Sequence, residues 1–501
     1  VIFNQVNWPK KILKGSIGKE IFLFLQDLHI EVYLVGGYVR DWLLRKFSRD
    51  LDFAVKGDAI KLARIVANRF GGSFFPLDEE RDTGRAILRD KEGIPFFVDF
   101  ARLRGESIEE DLSLRDFTIN AIAVDVKDPK LRLIDPYNGC EDIRLGVIRA
   151  TSDSSFREDP LRTLRAVRLA AELGMDIEPK TESLLREAVP LIESVSPERI
   201  RDEFVKTMAC EGAAEHLRRL DGLGLLKLII PEIEHMKGVE QSPPHYLDVF
   251  EHSLETVKRL EGLVESLPPL LSPFSSLLLS HFAQTTSGEH KRFVLLKLVA
   301  FLHDVEKPST KGVDEEGCIH FFDHEGKGAK VIGEILKRLR FSRGEVKLAC
   351  TIVANHMRPS ELAAQEVITK RDSYRFFRDT GDAGVDTLLL YLADHLATWG
   401  PNLIQERWQK RVEAVASLLT DYYMERIISP PKLIGGSDLM EEFALEEGPL
   451  IGRLLEEVRE AQVMGEVKTR EEALEYARSL LRKMESNGSE SGSKTVSFAR
   501  I

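Results

Sequence analysis

Cysteine is scarce in this chain. The four present, Cys140, Cys210, Cys318 and Cys350, lie far apart with no paired spacing of the zinc or redox type, so buried free thiols are expected. Long apolar runs are missing too. Nowhere do about 18 uninterrupted apolar residues occur, and the N-terminus shows no apolar stretch ending in a small-residue cleavage site. Both absences argue against membrane insertion or export and make a cytoplasmic location the expectation. Positive charge is not in excess either: 70 Lys and Arg stand against 82 Asp and Glu, for a net charge of −12. A uniformly basic nucleic-acid binder is thereby excluded, while a local basic groove is not. What remains is an ordinary soluble composition, 43% hydrophobic and 30% charged, in a chain of 501 residues. A chain that long splits into several domains, because single cores stop growing well before that length.

The stretch from Tyr33 to Val55, YLVGGYVRDWLLRKFSRDLDFAV, organises the rest. A short apolar strand runs into Gly36 and Gly37, a helical segment starts at Tyr38 and ends in a basic cluster, and a second strand carries Asp50 and Asp52. Side chains alternate across a strand, so the two aspartates share one face while Leu51 and Phe53 point into a core. Neighbouring carboxylates repel unless a cation neutralises them, which reads as a divalent-metal site. The glycines let a ligand approach the backbone, and the helix start offers free amides to phosphates. Together these features predict a nucleoside triphosphate and metal site.

Upstream, Lys10, Lys11, Lys14 and Lys19 read as a solvated face, followed by an amphipathic helix from Ile21 to Leu28. From 31 to about 125 the pattern predicts a small α/β layer arrangement: a helix from Ala59 to Phe70 and strands from Arg85 to Leu88, Phe96 to Ala101 and Phe117 to Val124. Asp99 interrupts the apolar run FFVDF, and becomes a third carboxylate at the site if its strand neighbours the one bearing Asp50 and Asp52. Arg115 and Asp116 suit phosphate and ribose contacts, with Asn120 fixing their loop. After the turn LIDPYNG at 133–139 the texture is helical. There Asp159 precedes Pro160 as a predicted N-cap, and Arg162, Arg165 and Arg168 recur every three residues as one stripe. Asp159 and Arg162 can present acceptors and donors in one plane, the geometry needed to read a base edge.

These motifs in this order, LVGGYVRD, Asp50-Leu51-Asp52, RDFTINA at 115–121, EDPLRTLR at 158–165 and SPERIRDE at 196–203, resemble the class II tRNA nucleotidyltransferase and bacterial poly(A) polymerase family over roughly the first 210 residues. The resemblance implies an α+β chain with a polymerase-β-like head, a small mixed sheet with helices, followed by an all-α neck, body and tail. It implies that Asp50 and Asp52 bind catalytic magnesium, with Asp99 beside them. Gly36, Gly37 and Arg40 would contact the incoming nucleotide, and Arg115 and Asp116 the triphosphate and sugar. Asp159 and Arg162 would serve as a protein template for the base of CTP or ATP, and Arg165 and Arg168 would hold phosphates. Many members carry Arg where this chain has Leu114.

The second half brings His245, His252, His303-Asp304, His324, His356 and Asp394 together in helical periodicity. Imidazole plus carboxylate suits a divalent transition metal or magnesium that polarises a phosphate and activates water. The pattern resembles the HD phosphohydrolase superfamily, which implies His252, His303, Asp304 and Asp394 as metal ligands and His324 and His356 as second-metal positions, with Glu306 standing where glycine is usual. Beyond it, Ser437 and Thr469 read as N-caps, the latter in a capping box with Glu472. The expected organisation is a catalytic head at 1–150, a neck and body at 151–244, an HD domain at 245–400, a tRNA-binding tail at 401–484 and a disordered end at 485–501. Three functions fit: addition of CMP or AMP (CCA, CC or A alone) to the 3′ end of tRNA, poly(A) addition to diverse RNAs, and metal-dependent phosphate hydrolysis. Partners would be tRNA, CTP and ATP, with no membrane.

Overall fold

Strand alternation places seven segments in one mixed sheet. The computed structural model describes residues 16–490 apart from 91, 129 and 425–431. Lys10, Lys11 and Lys14 lie outside the described residues, as does the Ser/Gly-rich end from 491. Two compact units emerge, Val1–Glu211 with Glu215–Pro231 and Gly212–Ala214 with Glu232–Ile501.

In the first unit helix α1 (Ser16–Asp27) buries Ile21 and Leu25 and leaves Lys19 exposed. Then come β1 (Val32–Val35), α2 (Gly37–Leu43), β2 (Asp50–Val55), α3 (Ala59–Phe70), β3 (Ser73–Asp78), β4 (Thr83–Arg89), β5 (Pro95–Arg102), α4 (Ile108–Ser113), β6 (Ala123–Asp125) and β7 (Leu133–Ile134). The sheet order is β3-β4-β5-β2-β1-β6-β7. Helix α3 starts where the Asp58 side chain accepts from the Lys61 amide at 2.7 Å and ends at Gly71, φ 68°. Its apolar face, Leu62, Ala63, Val66 and Ala67, is buried, and it approaches β4 so closely that a Cβ on Gly84 would sit 2.9 Å from that of Ala63. Helices α5 (Gly139–Leu145), α6 (Arg162–Leu173) and α7 (Pro197–Ala209), with shorter ones between, complete the unit.

Two local expectations are corrected here. Phe117 to Val124 is not one strand: Thr118–Asn120 is a 3₁₀ turn and only Ala123–Asp125 pairs in the sheet. Asp116 causes the break, because its Oδ1 accepts from the Phe117 amide (2.8 Å) and Asn120 Nδ2 (2.9 Å), a local turn that competes with the ladder. The cysteines are not buried, since Cys318 is exposed and the other three are half-buried.

The second unit is helical, with α8 (Val249–Glu265), α9 (Arg292–Leu302), α10 (His324–Arg338), α11 (Arg343–Asn355), α12 (Arg358–Ala364), α13 (Lys370–Thr380), α14 (Ala383–Trp399) and α15 (Gln405–Tyr423). Helix α14 is apolar nearly all round and correspondingly buried. Helices α16 (Gly436–Phe443), α17 (Pro449–Val463) and α18 (Arg470–Glu490) share a core of Leu439, Leu454, Val458, Ala461 and Ala473. Thr469 caps α18 as expected, through reciprocal bonds with Glu472. Ser437 does not cap α16: Gly435 is the N-cap, and Asp438 accepts from its amide at 2.6 Å. Helix α18 continues to Glu490, past the position 485 where the sequence suggested disorder. No single helix among the described residues is long and apolar enough to cross a membrane.

Candidate active site

Strand register sets the first site. Val35 at the end of β1 pairs with Asp52, Asp52 pairs with Asp99 on parallel β5, and Asp99 pairs with Arg85 on antiparallel β4. Asp52, Asp99 and Arg85 therefore stand in a row across one sheet face, with Asp50 two residues along β2. Leu51 and Phe53 are 1% and 2% exposed on the opposite, core side. Burial, then the charge of Asp99, pushes the Asp52 carboxyl up to about 6 against the pull of Arg115. Asp50 is also raised, by burial and then by Asp99 and Asp41, against Arg85. Carboxylates that resist ionisation together are relieved by a cation, so Asp50 and Asp52 fit a divalent metal. Asp99 is adjacent as expected, but Arg85 grips both its oxygens at 2.7 Å, so its charge is already compensated.

The backbone reaches this row through Gly36, whose φ of 72° suits glycine. A Cβ there would lie 3.1 Å from Arg115 Nη1 and 3.2 Å from Asp52 Oδ2, so any side chain would intrude between those two groups. Helix α2 has only seven residues, so the phosphate-directed charge rests on arginines more than on a helix end. Arg40 is 6% exposed and donates to Asn120 Oδ1 (2.8 Å) and Asp41 Oδ1 (2.8 and 2.6 Å), which makes it a support of the Asp116–Asn120 turn. Burial alone would raise the Asp116 carboxyl, but Arg165 and Asn120 hold it below its usual range. Arg165 Nε lies 2.9 Å from Asp116 Oδ2 and keeps an exposed guanidinium.

Arginines of α6 and the aspartate that precedes it complete one cleft of about 1330 Å³, lined by Gly36, Gly37, Arg40, Asp52, Arg115, Asp116, Asp159, Arg162, Arg165 and Arg168 among others. That exceeds the roughly 300–1,000 Å³ of a small-molecule pocket. Asp159 is not the N-cap of α6. Its Oδ1 accepts from the Leu161 amide (3.2 Å) in a turn before the helix, which starts at Arg162. Its other oxygen accepts from Arg199 Nη2 at 2.9 Å. Arg162 donates to Ser155 Oγ (2.8 Å) and the Leu114 carbonyl (2.8 Å), with Glu158 at 3.6 Å. Asp159 and Arg162 thus have fixed orientations at the cleft wall. Arg168 is committed to Glu203 (2.6 Å) and Glu172 (2.5 Å). Beside Leu114, Arg104 reaches its carbonyl (3.3 Å) and Asp111 (3.0 Å), so a guanidinium lines the cleft next to the position where Leu stands for Arg.

The second cluster is in the helical unit. Nδ1 of His303, His324 and His356 each bonds a backbone carbonyl three residues earlier, at 2.8, 2.8 and 2.7 Å, which orients every Nε2 inward. Asp304 sits between two groups: His252 and His303 face its Oδ2 at 3.6 and 3.1 Å, and His324 and His356 face its Oδ1 at 3.4 and 3.9 Å. Asp394 Oδ1 lies 2.9 Å from His252 Nε2 and 3.8 Å from His303 Nε2. Both Asp304 oxygens and the Nε2 atoms of His252 and His303 are buried, and imidazoles and carboxylates converging in this way form a donor set a divalent metal would satisfy. Among the described residues these are the two three-donor groups with ligand atoms within 4.8 Å of one another, and the head carboxylates form none. Burial opposes a charge on His303, yet Asp304 and Asp394 push it up to about 10, and they themselves lie well below the usual range. His245 stays outside the ligand groups, its Nδ1 at 3.2 Å from the Ser242 carbonyl.

Sequence reasoning missed Arg85, Arg199, Arg104 and Lys307. Lys307 Nζ lies 2.7 Å from Asp304 Oδ2, and its three-residue spacing from Asp304 was a readable signal. The other three meet their partners through strand pairing or through packing between elements, which single-sequence periodicity does not display.

Known proteins resemble this chain over most of its length. Residues 32–149 match the Poly A polymerase head domain, 174–237 the family described as the probable RNA and SrmB-binding site of polymerase A, and 315–477 domain 2 of tRNA nucleotidyltransferases. The A-adding tRNA nucleotidyltransferase of Deinococcus radiodurans is 35% identical over 449 residues, 88% of this chain and 93% of that one. The CC-adding tRNA nucleotidyltransferase of Thermus thermophilus is 32% identical over 88% and 92%. In fold, the chain is similar to the Thermotoga maritima CCA-adding enzyme complexed with tRNA, with a TM-score of 0.58 at 24% identity over 93% of this chain and 96% of that one. A CCA-adding enzyme complexed with CTP gives 0.61 at 24% identity over the same shares. The α+β chain, with its mixed-sheet head and helical remainder, belongs to the tRNA nucleotidyltransferase family.

Proposed function

We infer that this chain adds CMP and/or AMP, from CTP and ATP, to the 3′ end of tRNA without a nucleic-acid template, releasing pyrophosphate. The observation that carries this reading is that Asp52, the arginines Arg115 and Arg165 and the Asp159–Arg162 pair line one cleft too large for a nucleotide alone. Asp50 and Asp52 would hold magnesium, which when bound would supply charge neutralisation at the reacting oxygens. Gly36 leaves room for the triphosphate, Arg115 and Arg165 orient it, and Asp116 with Asn120 supports the sugar side. The terminal ribose hydroxyl, giving up its proton to solvent, then attacks the α-phosphorus in line, forming the new P–O bond as the bond to the β-phosphate's bridging oxygen breaks and pyrophosphate leaves. A polar wall of Asp159 and Arg162 reads the base edge. The head, neck, body and tail boundaries read from the sequence go with this assignment, and tRNA as substrate places the reaction in the cytoplasm.

Base selection provides the test. Replacing Asp159 or Arg162 with Ala removes one acceptor or one bidentate donor, and discrimination between CTP or ATP and the two other nucleotides is expected to fall by about 10- to 100-fold. Single-nucleotide incorporation on tRNA measures it. Unchanged discrimination in both variants would remove the protein-template role.

A second reading adds to the first. We assign His252, His303, Asp304 and Asp394, with His324 and His356, to an HD-type centre in which a divalent transition metal supports phosphate hydrolysis. The convergence of His252 and His303 on one oxygen of the buried Asp304 and of His324 and His356 on the other favours it.

A further inference from the structure

The sheet face that carries the carboxylates is covered at one end and open at the other. Over β1 and β6, Val35, Ala54 and Ala123 share a core with Ile108 and Leu112 of α4. In the other direction the row runs from Asp52 through Asp99 on β5 and Arg85 on β4 to Phe75, which lies opposite Arg85 on the edge strand β3. Helix α3 packs on the far side of these strands, where Ala86, Val98 and Phe100 are fully buried. The near side stays open. Phe75 is 49% exposed, while Phe97, two residues before Asp99, and Ile87, two after Arg85, are half-buried. The Arg85 guanidinium lies 5.3 Å over the Phe97 ring. The floor of the active-site cleft continues onto this same face through Ala54, Ala101 and Thr83, which pair as neighbours on β2, β5 and β4.

A single exposed aromatic is ordinary. This one stands in line with the reacting groups. Gly36 and Arg115, beside which the triphosphate lies, meet Asp52 from the β1 side. In-line displacement puts the attacking oxygen opposite the leaving group, hence on the β5 side. From there the RNA strand that ends in that oxygen crosses β5, β4 and β3, three strand spacings or roughly 14 Å. Aromatic rings interleaved with a guanidinium form a stacking platform for unpaired bases. A second copy of the chain adding a strand to β3 fits the edge poorly, because Pro76 donates no amide and the register shifts between Pro76 and Asp78. We propose that Phe75, Arg85 and Phe97 form a stacking surface for the last unpaired nucleotides of the RNA acceptor strand, which sets how the 3′ hydroxyl approaches Asp50 and Asp52. This rests on the reading of the chain as an enzyme that extends the 3′ end of tRNA.

The test compares Phe75→Ala, Phe75→Leu, Phe75→Tyr and Phe97→Leu with wild type, each as the full chain. Kd and KM for tRNA lacking its 3′ end are measured beside KM for CTP and ATP, with sedimentation and thermal melts in parallel. Phe75→Ala and Phe75→Leu, which lose the ring, are expected to raise both tRNA constants about tenfold. Phe97→Leu should raise them about threefold, and Phe75→Tyr, which keeps the ring, should stay within about twofold of wild type. Nucleotide KM and melting temperature should not move in the Phe75 variants, because that side chain is half exposed. Unchanged tRNA constants in Phe75→Ala would overturn the proposal. So would Phe75→Leu matching wild type, which would mark a plain apolar contact, or a lowered melting temperature with nucleotide and tRNA constants impaired alike, which would mark a structural role. Altered sedimentation with unaltered tRNA constants would overturn it in favour of self-association through β3. Wild type that adds no nucleotide, while Phe75→Ala still weakens tRNA binding, would overturn the enzymatic reading and leave the RNA surface standing.

Discussion

Asp52→Asn should reduce nucleotide incorporation at a tRNA 3′ end by at least about a thousandfold, while making the metal-free protein more resistant to heat. Both effects come from one geometry. Asp52 faces the cleft beside Gly36 and Arg115, within the carboxylate row of β2 and β5, so an amide there removes an anionic ligand without changing shape. Stability moves the other way. The Asp52 carboxyl rises from an ordinary 3.8 to about 6 in the fold, so between those values the folded state binds more proton than the unfolded chain. Stability is therefore lost as pH rises through that window, and above about 6 the full cost is present. Asparagine avoids the cost, which is of order 2 kcal/mol for this half-buried group. Thermal melts at pH 7.5 without divalent ions should show Asp52→Asn a few degrees above wild type, and magnesium should stabilise wild type but not the variant. Full incorporation by the variant, or a melting temperature below that of wild type, would contradict the site.

His303→Ala carries the second large effect. Wild type is expected to bind a divalent transition metal tightly in the helical unit and to release phosphate from phosphomonoester or 2′,3′-cyclic phosphate substrates. The variant should lose both to below detection, with tRNA extension within about twofold of wild type. His303 Nε2 lies 3.1 Å from Asp304 Oδ2, and its Nδ1 is tied to the Ala300 carbonyl, so truncation deletes an aimed ligand. Lys307, at 2.7 Å from the same oxygen, competes with a metal there. Metal analysis of the full chain and a phosphate-release assay across several divalent ions check the prediction. No bound metal and no release with any ion would leave the cluster a structural element.

Much of the head was legible because its chemistry is local in sequence. Asp50 and Asp52 are two residues apart on a strand, so alternation alone put them on one face, and the helix Ala59–Phe70 was bounded by its own cap and terminal glycine. The partners of those residues were not legible. Whether Asp99 joins the site depends on β5 pairing with β2, and whether it is available depends on Arg85 arriving from β4; neither register is written in one strand's pattern. Phe117–Val124 read as a strand by composition, yet the Asp116 side chain offered its backbone a competing turn. The arginine stripe of α6 was legible as a periodicity, whereas the pairing of Arg168 with Glu203, on α7, was not. In the helical unit the histidines were found as a group because the adjacent pair His303-Asp304 stands among further histidines and a distant aspartate in the sequence. The inward aim of each Nε2 comes from backbone carbonyls one turn earlier, a feature only the folded helices supply.

Extension of tRNA lacking its 3′ end by the wild-type full chain, with magnesium and with CTP and ATP given separately and together, tests the central claim most directly. The account predicts pyrophosphate-releasing addition that stops within the CCA positions, C-only or A-only extension marking an enzyme dedicated to part of that sequence. No extension under any nucleotide combination, or an unbounded A ladder on unrelated RNAs, would contradict it.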